Sequence, residues 1–341
     1  MSQKRRRLPN LKSKEKAEKS QKGTNDERQK MQKKQIVQFV QTTLEKGPIG
    51  LRNEFNAMKR FNDFDKMQSF KKAQDHHKNR YKDVGCLDNN RVKLAHPPWP
   101  HDYIHANFVS TPANAKRFIC AQAPLDNTCA DFWYMCLQER VEAIFMLCNL
   151  MEKGAKKCSE YYATKEKPEL VFHEKDQKIT VKYEASGTVK FVKPTKAVVK
   201  ETVLIIEGPG GQVLKTTHYH WIDWPDRGVP PADLSIIELL IKARPLKGPI
   251  AVHCSAGIGR TGSVVMIEYM CEQLLNGNQI EETDKILQKI REQRNNSIQT
   301  DHQYLFVHQV MMNFFLEKKL FDEEVKKAHA DFTHKYEKCV H

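Results

Sequence analysis

The sequence predicts a single α/β domain built on a mixed β-sheet flanked by helices. Three observations carry this. Residues 249–253 are a short apolar run of strand type, and after a glycine-bearing loop Val264, Val265, Ile267, Tyr269 and Leu274 give a helix one buried face. Residues 141–148 are an apolar run broken only by Glu142, as suits a central strand covered on both faces. Between residues 170 and 221 several segments alternate apolar and polar side chains, as antiparallel strands do. The 341 residues can bury a substantial core without disulfides or a metal, and no Ser/Gly linker or internal repeat divides them.

Residues 1–33 read as a basic arm. The first 35 residues hold 13 Lys/Arg against 4 Asp/Glu, so +9 of the formal net charge of +14 lies there. Without aromatic residues the arm is expected to be disordered. Its Lys4-Arg5-Arg6-Arg7 run suits nuclear import, or contact with nucleic acid or another acidic surface. The folded domain is expected over 34–320. Residues 34–46 place Ile36, Val37, Val40 and Leu44 at helical spacing and stop at Gly47-Pro48. Residues 51–70 repeat the pattern loosely through Phe55, Met58, Phe61 and Phe64. After a polar loop at 78–84, strands are expected at 90–94 and 102–109, around the breaker-rich His96-Pro97-Pro98-Trp99-Pro100. Further strands follow at 117–122, 141–148, 170–173, 179–184, 189–192, 198–206 and 213–221, with a turn at Gly208-Pro209-Gly210-Gly211. Helices are expected at 130–140, 234–242, 283–294 and 302–318. Residues 321–341 read as a charged, loosely held tail.

The nine cysteines are odd in number and include no Cys-x-x-Cys pair, so they read as reduced thiols. No apolar run reaches the ~18 residues of a membrane span, and no apolar signal region opens the chain. A cytoplasmic or nuclear location is expected. The 14 histidines lack metal-ligand spacing, and no nucleotide-binding glycine motif is present. No metal or cofactor is expected.

The chemistry centres on His253-Cys254-Ser255-Ala256-Gly257-Ile258-Gly259-Arg260-Thr261-Gly262. A loop that ends at a helix N-terminus points free N–H groups at whatever it holds, and the helix dipole favours an anion there. Gly257 and Gly259 allow close backbone approach. Arg260 adds a planar fork suited to phosphate oxygens. The same positive field lowers the pKa of the Cys254 thiol. A nucleophile at the floor of a phosphate cradle implies phosphoryl transfer through a phosphocysteine. Taken alone, this loop fits arsenate reduction, lipid dephosphorylation or dual-specificity chemistry as well.

Loops far apart in the chain, over about residues 50–318, together resemble the phosphotyrosine-specific protein phosphatases. The segment 253–262 is similar to that family's phosphate loop. Trp224-Pro225-Asp226-Arg227-Gly228-Val229-Pro230 is similar to its mobile acid loop, and Gln299-Thr300-Asp301-His302-Gln303-Tyr304 to its glutamine loop. Lys78-Asn79-Arg80-Tyr81-Lys82-Asp83-Val84 resembles its phosphotyrosine-recognition loop. Gln122–Thr128 and Met151–Cys158 match two further stretches. The resemblance is to single-domain, non-receptor members, and Tyr219-His220-Trp221-Ile222-Asp223-Trp224 is similar to nematode ones.

The resemblance implies the highly twisted mixed sheet of the cysteine-dependent phosphatases and substrates that are phosphotyrosine-containing proteins. It implies Cys254 as nucleophile, Arg260 as phosphate clamp and Asp226 as general acid, then base. A tyrosyl group, with a pKa near ~10, leaves poorly unless protonated. Ser255, Ala256, Gly257, Ile258 and Gly259 would line the cradle with Arg260. Glu152 would hold Arg260, Thr261 would hydrogen-bond the thiolate, and His253 would order the loop and help depress the thiol pKa. Gln299 and Gln303 would position the hydrolytic water, and their spacing of four suits one helix face. Tyr81 would stack on the substrate ring and set the pocket depth, Asp83 would bond the substrate backbone, and Lys157 would meet Asp226 in the closed loop. Read singly, Asp226 is a turn residue and Glu152 a solvated charge. Four positions depart from the family pattern: His105 for Asn, Ala123 for Gly, Tyr162-Ala163 for Trp-Pro, and Arg227 for Phe or His. The alternatives are an inactive phosphotyrosine-binding module on the same fold and a dual-specificity phosphatase. The intact Cys254, Arg260, Asp226 and Gln299 oppose the first, and Tyr81 the second.

Overall fold

The apolar run before Cys254 is buried on both faces. Such a strand needs parallel neighbours covered by helices. The computed structural model, which describes residues 11–340, places it at the centre of a mixed sheet. The helices are α1 (Leu11–Ala57), α2 (Gln68–Ala73), α3 (Cys129–Glu139), α4 (Ser235–Ala243), α5 (Gly259–Leu275), α6 (Thr283–Arg291), α7 (Asp301–Leu316) and α8 (Glu323–Val340). The strands are β1 (Arg91–Lys93), β2 (Tyr103–Thr111), β3 (Asn114–Ala121), β4 (Ala143–Met146), β5 (Met151–Glu152), β6 (Ala155–Lys156), β7 (Glu169–Glu174), β8 (Gln177–Thr188), β9 (Val198–Glu207), β10 (Val213–Ile222) and β11 (Ile250–His253). Nine of them form one sheet in the order β1-β2-β3-β11-β4-β10-β9-β8-β7, and β5 pairs with β6. The α/β class expected from the sequence is the one observed.

The topology places the site. β11 runs parallel to β3 and β4, and β4 parallel to β10. Parallel strands end on the same edge of a sheet, where open α/β sheets bind ligands. The segments leaving β3, β4 and β11 therefore meet. Ala123 N–H donates to Ser255 O at 3.0 Å, and Leu147 N–H to His253 O at 2.8 Å. α5 starts at Gly259 and is buried along nearly its whole length. Its N-terminus is thereby fixed under the loop.

Several expectations need correction. The arm does not stay irregular to residue 33. α1 begins at Leu11 and runs through a kink at Gly47, and Lys4–Arg7 lie outside the described residues. Composition suggested disorder, but two polar side chains of the arm find partners at the C-terminal end of α5. Arg28 donates to Asn276 Oδ1 at 2.8 Å and Gln32 to Leu275 O at 3.0 Å, supplying donors near a helix C-terminus. Residues 323–340 are not a loose tail but α8. Phe332 and Tyr336, one turn apart, are only 3% and 4% exposed, and α8 packs on α1 and α7. Residues 189–192 form no strand. β8 instead extends to Thr188, and a single bond from Val189 N–H to Val199 O closes its end. Phe61 is 72% exposed and does not continue an apolar helix face. Among the described residues no helix is long and apolar enough to cross a membrane.

Two outcomes follow from this packing. Phe332→Ala should cost about 3 kcal/mol in urea unfolding, as for other buried aromatic truncations. Lys335→Ala, on the exposed face of the same helix, should stay within about 0.5 kcal/mol. A loose tail would leave both unchanged. The second outcome concerns buried histidines. Burial pushes His105 and His253 down to about 3, and His220 and His308 down to about 4. The unfolded chain therefore takes up their protons first. The stability these groups give is full above about pH 6.5 and is lost as pH falls toward 4. Melting temperatures measured from pH 7.5 to 4.5 should fall steeply below 6.5, and a flat profile would contradict the burial of neutral imidazoles.

Candidate active site

The phosphate loop is shaped by which way its peptide groups face. Gly257 has φ +70°, and a Cβ there would lie 2.0 Å from Ala121 O, so only glycine fits. The loop carbonyls turn outward, and other segments satisfy each of them in turn. Ser255 O takes the Ala123 N–H. Ala256 O and Gly257 O accept from Arg294 at 3.1 and 3.0 Å. Ile258 O takes N–H groups of Gly262 and Ile298 at 3.0 and 2.9 Å. With its carbonyls tied outward, the loop can present N–H groups to its interior, and Gly257 N–H points at the Cys254 sulfur at 3.2 Å.

Cys254 is buried, and burial alone would raise its thiol pKa. The Arg260 guanidinium, the Thr261 hydroxyl and N–H, and the Gly257 N–H outweigh that, so the thiol lies below the usual cysteine range. Thr261 Oγ1 has no hydrogen-bond partner at normal geometry, so the Gly257 bond is the better defined contribution. His253 does not add charge. Burial holds it neutral, and its ring sits between the Tyr161 hydroxyl at 2.6 Å and Cys254 O at 3.3 Å. Its contacts are those of a strut that braces the start of the loop.

Arg260 is fixed by a hairpin. β5 and β6 are joined by Lys153 and Gly154, both with positive φ, the combination that suits a two-residue hairpin turn. The hairpin aims Glu152 at Arg260, whose Nη1 and Nη2 donate to the carboxylate at 2.6 and 3.1 Å. Arg260 Nη1 also donates to Trp224 O at 2.8 Å, and Nη2 lies 3.4 Å from Asp226 Oδ1. The acid loop is thus folded over the cradle. Lys157, just past the hairpin, donates to Asp226 Oδ2 at 2.9 Å. Thr300 Oγ1 donates to Arg227 O at 3.1 Å and also caps α7 by accepting from Gln303 N–H. Burial pushes the Asp226 carboxyl up, but Lys157 and Arg260 hold it below the ordinary carboxylate range. Without a bound anion, Asp226 is a carboxylate.

The remaining expected residues converge on the same loop. Tyr81 OH lies 2.8 Å from Ser255 Oγ, and its ring packs with Val84, Ala256 and Ile258 beside the loop. Asp83 is exposed beside it, with its backbone carbonyl held by Asn62 at 2.9 Å. Gln299 and Gln303 do meet, but not on one helix face. Gln299 precedes the helix, and its N–H donates to Gln303 Oε1 at 2.9 Å. Both crowd Gly259, where a Cβ would lie 2.4 Å from Gln299 Oε1.

Comparison with known proteins agrees with this geometry. Residues 75–313 match the family model described as protein-tyrosine phosphatase. The chain belongs to the protein-tyrosine phosphatase family. It is 37% identical over 258 residues to human receptor-type tyrosine-protein phosphatase zeta, covering 71% of this chain and 11% of that protein. It is 34% identical over 251 residues to human tyrosine-protein phosphatase non-receptor type 12, covering 71% of this chain and 30% of that one. The chain thus spans well under half the length of these relatives. A solved PTPN18 structure, titled for its fingerprint on HER2 tyrosine phosphorylation sites, superposes with a TM-score of 0.69 at 25% identity, over 83% of this chain and 99% of that one.

Within this phosphatase family frame, three contributors escaped the sequence reading. Arg294 is completely buried and holds two loop carbonyls, yet it reads as a surface charge at the end of an amphipathic helix. Gln122 accepts from Arg80 N–H at 2.9 Å and donates to Lys78 O at 2.8 Å, so it staples the recognition loop to the end of β3. Tyr161 braces His253. Only the position of Gln122 inside a recognised stretch signalled it. Among the described residues His101, Asp131 and Glu174 have metal-type proximity. There Lys78 Nζ already lies 2.8 Å from Asp131 and 3.4 Å from Glu174, so an ammonium supplies the positive charge and anchors the recognition loop.

Thiol titration tests the electrostatics. Iodoacetamide should modify Cys254 with a midpoint below the ordinary thiol value, and Arg260→Ala should raise that midpoint. Cys120 and Cys271, pushed up to about 12 by burial, should stay silent. An unshifted midpoint in Arg260→Ala would remove Arg260 as the source of the field.

Proposed function

We propose that this chain hydrolyses phosphotyrosine in proteins through a phosphocysteine intermediate. One observation carries the reading. The Cys254 sulfur lies at an anion cradle while Arg260 and the carboxylate of Asp226 meet above it at 3.4 Å. The PTPN18 structures bound to HER2 phosphopeptides add weight to a phosphoprotein substrate.

In the first step the Cys254 thiolate attacks phosphorus and the bond to the tyrosyl oxygen breaks. Asp226 gives that oxygen its proton. Arg260 and the loop N–H groups hold the equatorial oxygens and the charge that spreads over them. In the second step Asp226 takes a proton from water positioned by Gln299 and Gln303. The water oxygen bonds to phosphorus, the P–S bond breaks, and the thiolate is restored as inorganic phosphate leaves.

Asp226 must be protonated to start, although in the unliganded site it is a carboxylate. The substrate resolves this. A phosphate dianion engages Arg260, weakening that cation's hold on Asp226, and brings negative charge beside the carboxyl. Both effects raise its pKa. Tyr81 at the wall lets a long phosphotyrosyl group reach the sulfur and leaves phosphoserine short.

The purified protein should turn over phosphotyrosine peptides in EDTA and matched phosphoserine peptides hardly at all. Cys254→Ser should abolish turnover and retain peptide binding, as it would for a competent pocket without its nucleophile. Asp226→Asn should lower kcat about 10²–10⁴-fold. Lys157→Met removes a cation that lowers the Asp226 pKa, so the alkaline limb of kcat/KM should move to higher pH. Binding without turnover by the intact protein would favour an inactive phosphotyrosine-binding module, and equal rates on both peptides a dual-specificity enzyme.

A further inference from the structure

His105 stands where the family resemblance leads one to expect asparagine, and the chemistry above does not use it. It lies on β2, 2% exposed. Its Nε2 is 2.8 Å from Val84 O, and its Nδ1 is 3.2 Å from Arg294 Nη2. A carbonyl can only accept and a guanidinium can only donate. The ring is therefore neutral with the proton on Nε2, and burial, reinforced by Arg294, keeps it so. Phe70 meets the ring edge-on at 5.7 Å and fixes its plane.

The two partners belong to different supports of the site, the recognition loop and the buried arginine behind the phosphate loop. Val84 closes the recognition loop three residues after Tyr81 and packs with it. Arg294 carries the phosphate-loop carbonyls of Ala256 and Gly257. Gln122 ties the start of the recognition loop, at Lys78 and Arg80. His105 ties its end.

We propose that His105 is a positioning residue that fixes the distance between the recognition loop and the phosphate loop, and so sets how well the pocket grips the phosphotyrosyl ring. This rests on the phosphotyrosine reading above. Asparagine cannot do both jobs. Its amide atoms sit as far from Cα as Nδ1, so it can accept from Arg294 but falls short of Val84 O. Glutamine extends its Nε2 as far as the histidine Nε2 and can donate to Val84 O.

The test compares His105→Asn, His105→Gln and His105→Ala with the wild-type chain. KM for a phosphotyrosine peptide should rise about tenfold in His105→Asn and His105→Ala, the effect of one buried acceptor left unpaired. His105→Gln should stay within about threefold of wild type, and kcat should stay within about threefold in all three. Competitive inhibition by inorganic phosphate, which senses the phosphate loop alone, should be unchanged. If phosphate inhibition weakens in step with KM, or if glutamine rescues no better than asparagine, His105 is only part of the packing and the proposal falls. Wild-type protein that turns over no phosphotyrosine peptide would overturn the functional reading instead. Calorimetric affinity for the same peptide then replaces KM, with the same order of variants expected. Melting temperatures identify any variant that fails to fold, and the contrast between glutamine and asparagine decides the matter without alanine.

Discussion

A loop cannot turn its amides toward an anion without turning carbonyls away from it, and buried carbonyls need donors. That constraint organises this molecule. Ser255 O draws the segment after β3, Ala256 O and Gly257 O draw Arg294 from just past α6, and Ile258 O draws Ile298 just before the glutamine loop. Ile298 is followed by Gln299, which lies against Gly259, and Ala123 follows Gln122, which staples the recognition loop. The parallel strands β3, β11 and β4 make this possible by ending on one edge. The sheet is the scaffold, and the outward carbonyls are the points where the rest of the chain is fastened to it.

The same few cations set opposing requirements. Arg260 favours thiolate at Cys254, and with Lys157 it also favours carboxylate at Asp226. In the proposed roles, Cys254 as nucleophile gains from that field and Asp226 as general acid loses. In the proposed mechanism a phosphate dianion would alter the field at Asp226 while the sulfur keeps its loop amide. Neutral His253 fits this scheme, because a charged imidazole beside Cys254 would strengthen the field without being relieved by substrate.

What could be read from the sequence follows the range of the interactions. The meeting of Cys254 and Arg260 is legible because one strand–loop–helix unit contains both. Asp226 and Tyr81 were legible only through a resemblance, since nothing local separates them from a turn aspartate and a core-edge tyrosine. Arg294 was not legible, because its acceptors are backbone atoms about 37 residues away, and backbone atoms leave no mark on composition. α8 was misread because lysines and glutamates outnumber Phe332 and Tyr336, although two aromatics one turn apart suffice to dock it. Gln299 and Gln303 are paired in the sequence through the resemblance, and the two do meet. A four-residue spacing suggested a helix face, whereas a cap at Thr300 separates them and a side-chain to backbone bond joins them.

The β5–β6 hairpin carries Glu152 in one strand and delivers Lys157 just after the other. One of these charges holds Arg260, the proposed phosphate clamp, and the other holds Asp226, the proposed proton carrier. A six-residue ribbon therefore couples two traits that selection would otherwise tune separately. Sequence drift inside it has correlated effects on nucleophile and acid, so this short segment has little freedom to vary unless both change together.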